Sequence, residues 1–244
     1  TIERHASLTL LEEGMPGARS NTLIEADIQD HGTLHHLRVQ GPENDRATLA
    51  HIFARTGKES TFKSFGFTAN GSATRNEAVL EITGSDATAH IAGACLGDAA
   101  VGKFHHDDTV YITHDAYNCE SRQVFKKVLR NGAVGVFQGK ILVQPDAQKT
   151  DGYQISQSLL LDDDSQFLAK PELEIYADDV ACSHGSTSGA IDEEALFYLR
   201  SRGVSRKAAE DLLTLSFLAE ALEEIEDDAL AQAVLSKIEG WLRG

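Results

Sequence analysis

Two side chains that can bind a metal ion, Cys182 and His184, stand two residues apart in the chain. They follow a stretch with apolar residues at Leu173, Ile175 and Tyr176, a near alternation that is typical of a β-strand. Side chains two residues apart in a strand point to the same face of the sheet. A thiol and an imidazole side by side can hold a borderline-soft metal ion. The sequence therefore predicts half of a four-ligand site, whose other ligands come from a partner or from a second copy of the chain.

A second group of possible ligands is the run His105-His106-Asp107-Asp108. Neighbouring residues of a strand point to opposite faces. Only His105 with Asp107, or His106 with Asp108, can therefore act together. Because the strand-like run Thr109–Ile112 follows directly, we interpret the four residues as a solvent-exposed corner, with metal binding as the alternative.

The other two cysteines, Cys95 and Cys119, sit among apolar or alternating residues. Free cysteine commonly packs as a small buried hydrophobe, and this is also the alternative for Cys182. The chain has 3 cysteines, widely spaced and without a Cys-X-X-Cys pair, which favours free thiols in a reducing compartment, the cytoplasm. The chain starts at Thr1 and its one methionine is Met15, so we interpret it as an N-terminally truncated fragment.

The charge of the chain and its missing motifs limit the function classes. With 38 acidic against 22 basic residues, the 244-residue chain has a net charge of −16. Such a surface repels phosphate groups, which argues against nucleic acid and anionic membranes as partners. No run reaches the roughly 18 apolar residues that a membrane helix needs.

The sequence also lacks a phosphate-binding GxxxxGK[ST] loop, a GxGxxG helix entry and a GxSxG nucleophile elbow. We therefore predict a non-enzymatic protein. The alternative from another class is a carbohydrate-active β-helix enzyme, which would use two or more carboxylates across one groove. The acidic residues here are scattered, and 1 Trp and 5 Tyr give little aromatic lining for such a groove.

Residues 1–177 consist of short alternating runs separated by turn residues. Glycine-led turns recur every 13 residues at Gly71, Gly84 and Gly97. Two such arms would make one coil of a β-solenoid with a turn at each corner. A β-sandwich or barrel has similar strand spacing and is the alternative. We predict a mainly β protein with a parallel β-helix over about residues 20–180.

The pattern becomes helical from Asp192, a residue type that commonly caps a helix N-terminus. Gly203 fits the stop of this first helix, and Ser205 opens a second one. A third helix follows an acidic break. We therefore predict a β-helix core over residues 1–184 and a helical domain over residues 185–244.

The second predicted helix carries an apolar stripe through Leu212, Leu215 and Leu218. This stripe must be buried somewhere, and the short first helix is one possible partner. Two interpretations remain open. Either the whole stripe is internal core, or part of it stays exposed as a docking surface for another protein.

Several stretches of the chain resemble the SufB/SufD family of Suf iron–sulfur cluster assembly scaffold subunits. They are Phe125–Leu129 with Gly132-Ala133, Val136–Val143, Asp146–Asp151 with Leu159–Leu161, and Pro171–Tyr176, which leads into Cys182-Ser183-His184-Gly185. The Cys-Ser-His-Gly form, with Leu196–Arg200 after it, is similar to the SufD branch of the family. The SufB branch typically has Glu-His-Glu at this point.

The resemblance implies a right-handed parallel β-helix followed by a helical domain. It also implies a heterodimer with SufB and a complex with SufC, an ABC-type ATPase. In such a complex a transient iron–sulfur cluster or iron would assemble at the SufB interface, with none tightly bound to the isolated chain. The matching interface residue here is His184, and Cys182 lies close by.

The resemblance further implies that the helical tail docks on the ATPase. The residues that we assign to this contact are Leu196, Phe197, Leu199, Arg200, Leu212, Leu215 and Leu218. When the chain is alone, pairing of two copies through the face near Cys182 would cover that face and complete a four-ligand site. We therefore predict a homodimer of the isolated chain.

Overall fold

The computed structural model describes residues 1–14, 18–41, 45–100 and 102–243, so Met15 lies outside the described residues. The strands are β1 (Ser7–Glu13), β2 (Arg19–Ile28), β3 (Thr33–Gln40), β4 (Ala47–Thr56), β5 (Thr61–Ala69), β6 (Ala73–Ile82), β7 (Thr88–Asp98), β8 (His105–His114), β9 (Glu120–Arg130), β10 (Val134–Val143), β11 (Asp151–Leu160), β12 (Gln166–Ile175) and β13 (Ala181–Gly189). The helices are α1 (Glu193–Ser201), α2 (Arg206–Leu222) and α3 (Asp228–Arg243).

The strands alternate between two parallel sheets. The odd-numbered strands form a seven-stranded sheet in chain order, and the even-numbered strands form a six-stranded sheet. Neighbouring strands within each sheet pair in parallel, as β9 does with β11 and β8 with β10. The chain therefore winds from one sheet to the other and back, one coil at a time. The predicted parallel β-solenoid with C-terminal helices is confirmed.

The coils differ in length, which the recurrence of glycines does not predict. Ala47 pairs with Ala73, 26 residues further along the chain, but Val134 pairs with Gln166, 32 residues further along. Gly97 is no turn residue, since it lies inside β7. A Cβ on Gly97 would come within 2.4 Å of the Phe104 ring. Gly97 thus makes room for an aromatic ring.

Large apolar side chains fill the space between the two sheets. They include Phe62 of β5, Leu80 of β6, Ile112 of β8 and Phe137 of β10, all fully buried. In each strand the residues next to these point outwards, as the alternation of a strand requires. Burial of this apolar interior is the main source of the solenoid's stability.

The helices cover the outer face of the seven-stranded sheet. Leu218 of α2 and Ile238 of α3 belong to the same buried cluster as Phe65, Phe67 and Val128 of the sheet. Tail and solenoid therefore share a core. The predicted division between residues 184 and 185 falls inside β13, and the assignment of two separate domains stays a prediction.

The helix ends follow the predicted signals. The Asp192 side chain accepts hydrogen bonds from the backbone of Glu194 and Ala195, and Ser205 caps α2 in the same way. Gly203 has a φ of 89°, the left-handed conformation expected after a helix end. Among the described residues, no helix has the combination of length and apolar content that crossing a membrane requires.

The run His105 to Asp108 is not a solvated corner, and that prediction is wrong. It starts strand β8, and alternation turns His106 and Asp108 into the solenoid, where both are buried. There the Lys127 ammonium donates to Asp108 Oδ2 at 2.6 Å and to His106 Nδ1 at 2.7 Å. Lys127 itself is almost completely buried. An interior ion pair thus lies at the position where the sequence suggested solvent.

The pKa values of this cluster follow from its surroundings. Burial, together with the Lys127 ammonium, lowers the pKa of His106 to about 3, so the ring is neutral and accepts from Lys127. Burial alone would raise the pKa of Asp108, but the Lys127 ammonium and the hydrogen bonds from Lys127 and Asn76 together hold that pKa below the ordinary value. Asp108 is therefore ionised, and the Lys127 ammonium supplies the countercharge of its buried carboxylate.

Replacing Lys127 by Met should lower the free energy of unfolding by about 3–5 kcal/mol, because the Asp108 carboxylate stays buried without its cation. The double variant Lys127→Met with Asp108→Leu should recover most of this loss. Lys126→Met is the matched control: its partner Glu220 is exposed, so the cost should be about 1 kcal/mol or less. Urea unfolding followed by circular dichroism measures all three, and parent-like stability of Lys127→Met would contradict the prediction.

Candidate functional site

Cys182 and His184 both lie in β13, the last strand of the seven-stranded sheet. The pairing of β13 with β11 aligns Cys182 with Gly152 and His184 with Gln154. Paired residues of neighbouring strands share one face of a sheet, and Gln154 is fully buried inside the solenoid. Both candidate ligands therefore belong to the interior-facing side of the terminal coil.

Cys182 is half-buried and reduced. It packs at the edge of a small apolar cluster that contains Ile141 and Val143 of β10. A Cβ on Gly152 would lie 3.1 Å from the Cys182 sulfur, so a larger residue at position 152 would crowd the thiol. Burial raises the pKa of the Cys182 thiol, which keeps it protonated at neutral pH. A metal ion would have to displace that proton, since the thiolate is the metal-binding form.

His184 is exposed, in contrast to Gln154, its buried pairing partner in β11. The residues on its interior side are polar. Ser186 receives a hydrogen bond from Ser156 at 3.1 Å, and the hydroxyls of Ser158 and Ser188 lie 2.9 Å apart. The interior-facing side of β13 is therefore tied to β11 by hydroxyl pairs, while the imidazole is accessible from outside.

The terminal coil is more exposed than the coils before it. Most residues of β12 and β13 are exposed or half-buried, whereas the preceding strands alternate between buried and half-buried residues. Leu168 and Tyr176 are large exposed side chains at this end. As last strands of their sheets, β12 and β13 present backbone groups that a further strand can pair with.

The donor set for a metal ion is incomplete within the chain. Cys182 and His184 supply two donors. Within the ranges that the structure describes, no group of three or more His, Cys, Asp or Glu side chains is arranged to hold a metal ion. The assignment of these two residues to a metal thus stays a prediction that needs ligands from elsewhere.

The residues assigned to ATPase docking do not form one exposed surface. Phe197 of α1 is 74% exposed and Leu212 of α2 is 50% exposed. Leu196 and Leu218 are buried, so they support the helix packing. Their direct contact with a partner would need that packing to open. Leu199 and Leu215 are half-buried, and Arg200 is exposed.

Two features of the site region escaped the sequence interpretation. Tyr198 is exposed beside Phe197, and the Arg202 guanidinium stacks on its ring at 5.0 Å. The adjacent pair Lys126-Lys127 in a strand requires that one lysine point inwards. This alternation is the feature of the sequence from which a buried lysine could have been predicted.

The family model and the relatives that match this chain all point to the same protein family. A family model for the SufBD core domain of SUF system FeS cluster assembly matches residues 1–217. The iron–sulfur cluster assembly protein SufD of Escherichia coli (strain K12) is 36% identical over 228 residues, 93% of this chain and 52% of that protein. An iron–sulfur cluster assembly SufBD family protein of Synechocystis is 30% identical, over 92% of this chain and 47% of the relative.

A third relative, an iron–sulfur cluster assembly SufBD family protein of Mycobacterium leprae, is 28% identical over 80% of this chain and 51% of the relative. The chain belongs to the SufB/SufD family of the SUF iron–sulfur cluster assembly system. It spans about half the length of the curated relatives it matches. The resemblance found in the sequence motifs is confirmed.

Proposed function

We propose that this chain is a non-enzymatic scaffold subunit for iron–sulfur cluster assembly that contributes His184 at an interface with SufB. The observation that carries the proposal is the position of an exposed imidazole and a half-buried thiol on the last strand of an open solenoid end. The cluster, or the iron that enters it, is the cargo of this site. The chain offers two donors, and SufB supplies the rest.

The two donors differ in what they offer an iron ion. The His184 ring is exposed, and an imidazole binds a metal ion through the lone pair of a ring nitrogen. The Cys182 thiol is half-buried, and its raised pKa makes thiolate formation unfavourable. We infer that His184 is the primary ligand and that Cys182 assists, with a SufB thiolate as the main sulfur donor.

The pairing with SufB uses the open edges of β12 and β13. These strands end their sheets, so a second solenoid can continue both hydrogen-bond ladders without rearrangement of this chain. The exposed Leu168 and Tyr176 supply apolar area beside those edges. Such an interface would place SufB residues next to His184 and Cys182.

Replacing His184 by Ala should reduce cluster yield by at least about tenfold. Removing only the hydrogen-bond partner of a metal ligand already lowers metal affinity or activity by about this factor, and His184→Ala removes the ligand itself. Cys182→Ala should have a milder effect. Iron and acid-labile sulfide are counted after anaerobic reconstitution with SufB and SufC. His5→Ala, at an exposed site near the chain start, is the control. A normal yield from His184→Ala, in a complex of normal composition, would remove the residue from the site.

We further propose that α1 and the start of α2 bind the ATPase SufC. Phe197, Tyr198 and Leu212 are large exposed side chains on these two helices, which pack against each other. Central apolar anchors of this kind dominate binding at many protein interfaces. Arg200 and Arg202 beside them are exposed and can meet acidic groups of the partner.

The Phe197→Asp and Leu212→Asp variants should each weaken SufC binding by at least about thirtyfold, the effect of losing a central apolar anchor. Isothermal titration calorimetry measures the binding, and circular dichroism checks the fold. The control is Leu49→Asp, an exposed leucine on the outer face of the six-stranded sheet. If both helix variants bind SufC like the parent, the ATPase docks elsewhere.

The isolated chain should self-associate through the edges that otherwise pair with SufB. Two copies related by a two-fold axis would cover both open ends and bring two histidines and two cysteines together. Light scattering at micromolar concentrations should give a dimer mass. Leu168→Asp, beside the edge, should shift the mass towards the monomer, whereas Leu23→Asp on the opposite edge strand should not. A strict monomer of the parent chain would refute the proposal.

A further inference from the structure

Three polar side chains stand in one column at the site end of the solenoid. Gln123 of β9 pairs in register with Gln154 of β11, and Gln154 pairs with His184 of β13. Both glutamines are fully buried, and His184 is the exposed end of the column. Since neighbouring strands lie about 4.8 Å apart, each of these side chains is within reach of the next.

The two amides form a hydrogen-bonded chain with a favoured direction. Gln123 Nε2 donates to the backbone oxygen of Lys140 at 3.5 Å, which turns Gln123 Oε1 towards Gln154. Gln154 Nε2 donates to that oxygen at 2.7 Å. Because a backbone oxygen only accepts, this long contact favours the orientation in which Gln123 Oε1 faces Gln154. Gln154 Oε1 is thereby left as the acceptor at the end of the chain.

The facing sheet holds the amides in this arrangement. A Cβ on Gly139 of β10 would lie 2.3 Å from Gln154 Nε2 and 2.7 Å from Gln123 Oε1, so the amides pack against a bare backbone. Gln154 Oε1 is buried and has no hydrogen-bond partner among the described residues. A buried acceptor without a donor is unfavourable, and such atoms usually mark a place where a donor belongs.

We propose that Gln154 is a positioning residue for His184. Gln154 Oε1 accepts a hydrogen bond from one ring N–H of the imidazole, which fixes the tautomer and the ring orientation. The other ring nitrogen then carries its lone pair away from the solenoid, towards an incoming iron ion. Hydrogen bonds from behind a histidine ligand act in this way in many metal sites. This inference rests on the proposed function for the role of His184, but the hydrogen bond itself does not.

The hydrogen bond is tested on the isolated, iron-free chain. Long-range ¹H–¹⁵N spectra of the ¹⁵N-labelled chain report the tautomer of the His184 ring, and the His184→Ala variant identifies its signals. The reference is the tautomer ratio of the same ring in the urea-unfolded chain. In the folded parent the ratio should differ from this reference by about fivefold or more, the effect of one ordinary hydrogen bond.

The Gln154→Met variant keeps the side-chain length and removes the acceptor, so the ratio should return to the reference value. The matched control Ser156→Ala removes the neighbouring hydroxyl contact between β11 and β13 and should leave the ring unchanged. If Gln154→Met does not fold, Gln123→Met, which frees the Gln154 amide to rotate, provides the same comparison.

A parent ratio equal to the reference, or one that Gln154→Met leaves unchanged, would overturn the inference. Iron(II) titration of the complex with SufB separates this from the proposed function. If both hold, Gln154→Met weakens iron binding by about 10–100-fold. If His184 is no ligand, the tautomer result stands while iron binding is unaffected by either residue.

Discussion

The in-register parallel pairing of successive coils is the constraint on which the other features of this chain depend. Each strand residue lies against its partner one coil away, as Gln154 lies against Gln123 and His184. Side chains therefore form columns through the interior, and a polar residue there must find its partner in the column or on the facing sheet. Lys127 finds its partner, Asp108, on the facing sheet, whereas Gln154 finds its partner, Gln123, in its own column.

The two outer faces of the solenoid differ because the acidic tail covers only one of them. The linker between α2 and α3 and the end of α2 meet a basic surface on the seven-stranded sheet. Glu226 pairs with Lys63 at 2.9 Å, and Glu224 pairs with Arg122 at 3.3 Å. Glu220 pairs with Lys126 at the same face. The strongly acidic chain thus places part of its negative charge over the positive charge of its own sheet.

Local chemistry made much of this fold predictable, and tertiary contacts account for what was missed. Alternation predicted the strands, and capping by Asp192 predicted the start of the tail, since both signals lie within a few residues. The partner of Lys127 is 19 residues away and was not visible. Gly97 was mistaken for a turn residue. A glycine is needed there because the Phe104 ring packs against it, and the sequence pattern does not show such a packing contact. The exposure of docking candidates could not be predicted either, since a helix stripe does not show which of its members face the sheet.

The site strand and the first helix are joined by a very short tether. β13 ends at Gly189 and α1 begins at Glu193, so three residues connect them. Four Cα–Cα steps separate Gly189 from Glu193, so this connection spans at most about 14 Å. One of the three connecting residues, Ile191, packs against the core shared by helices and sheet. A displacement of α1 that exceeds the reach of this tether would therefore pull on β13 and on the hydrogen bonds that hold it to β11.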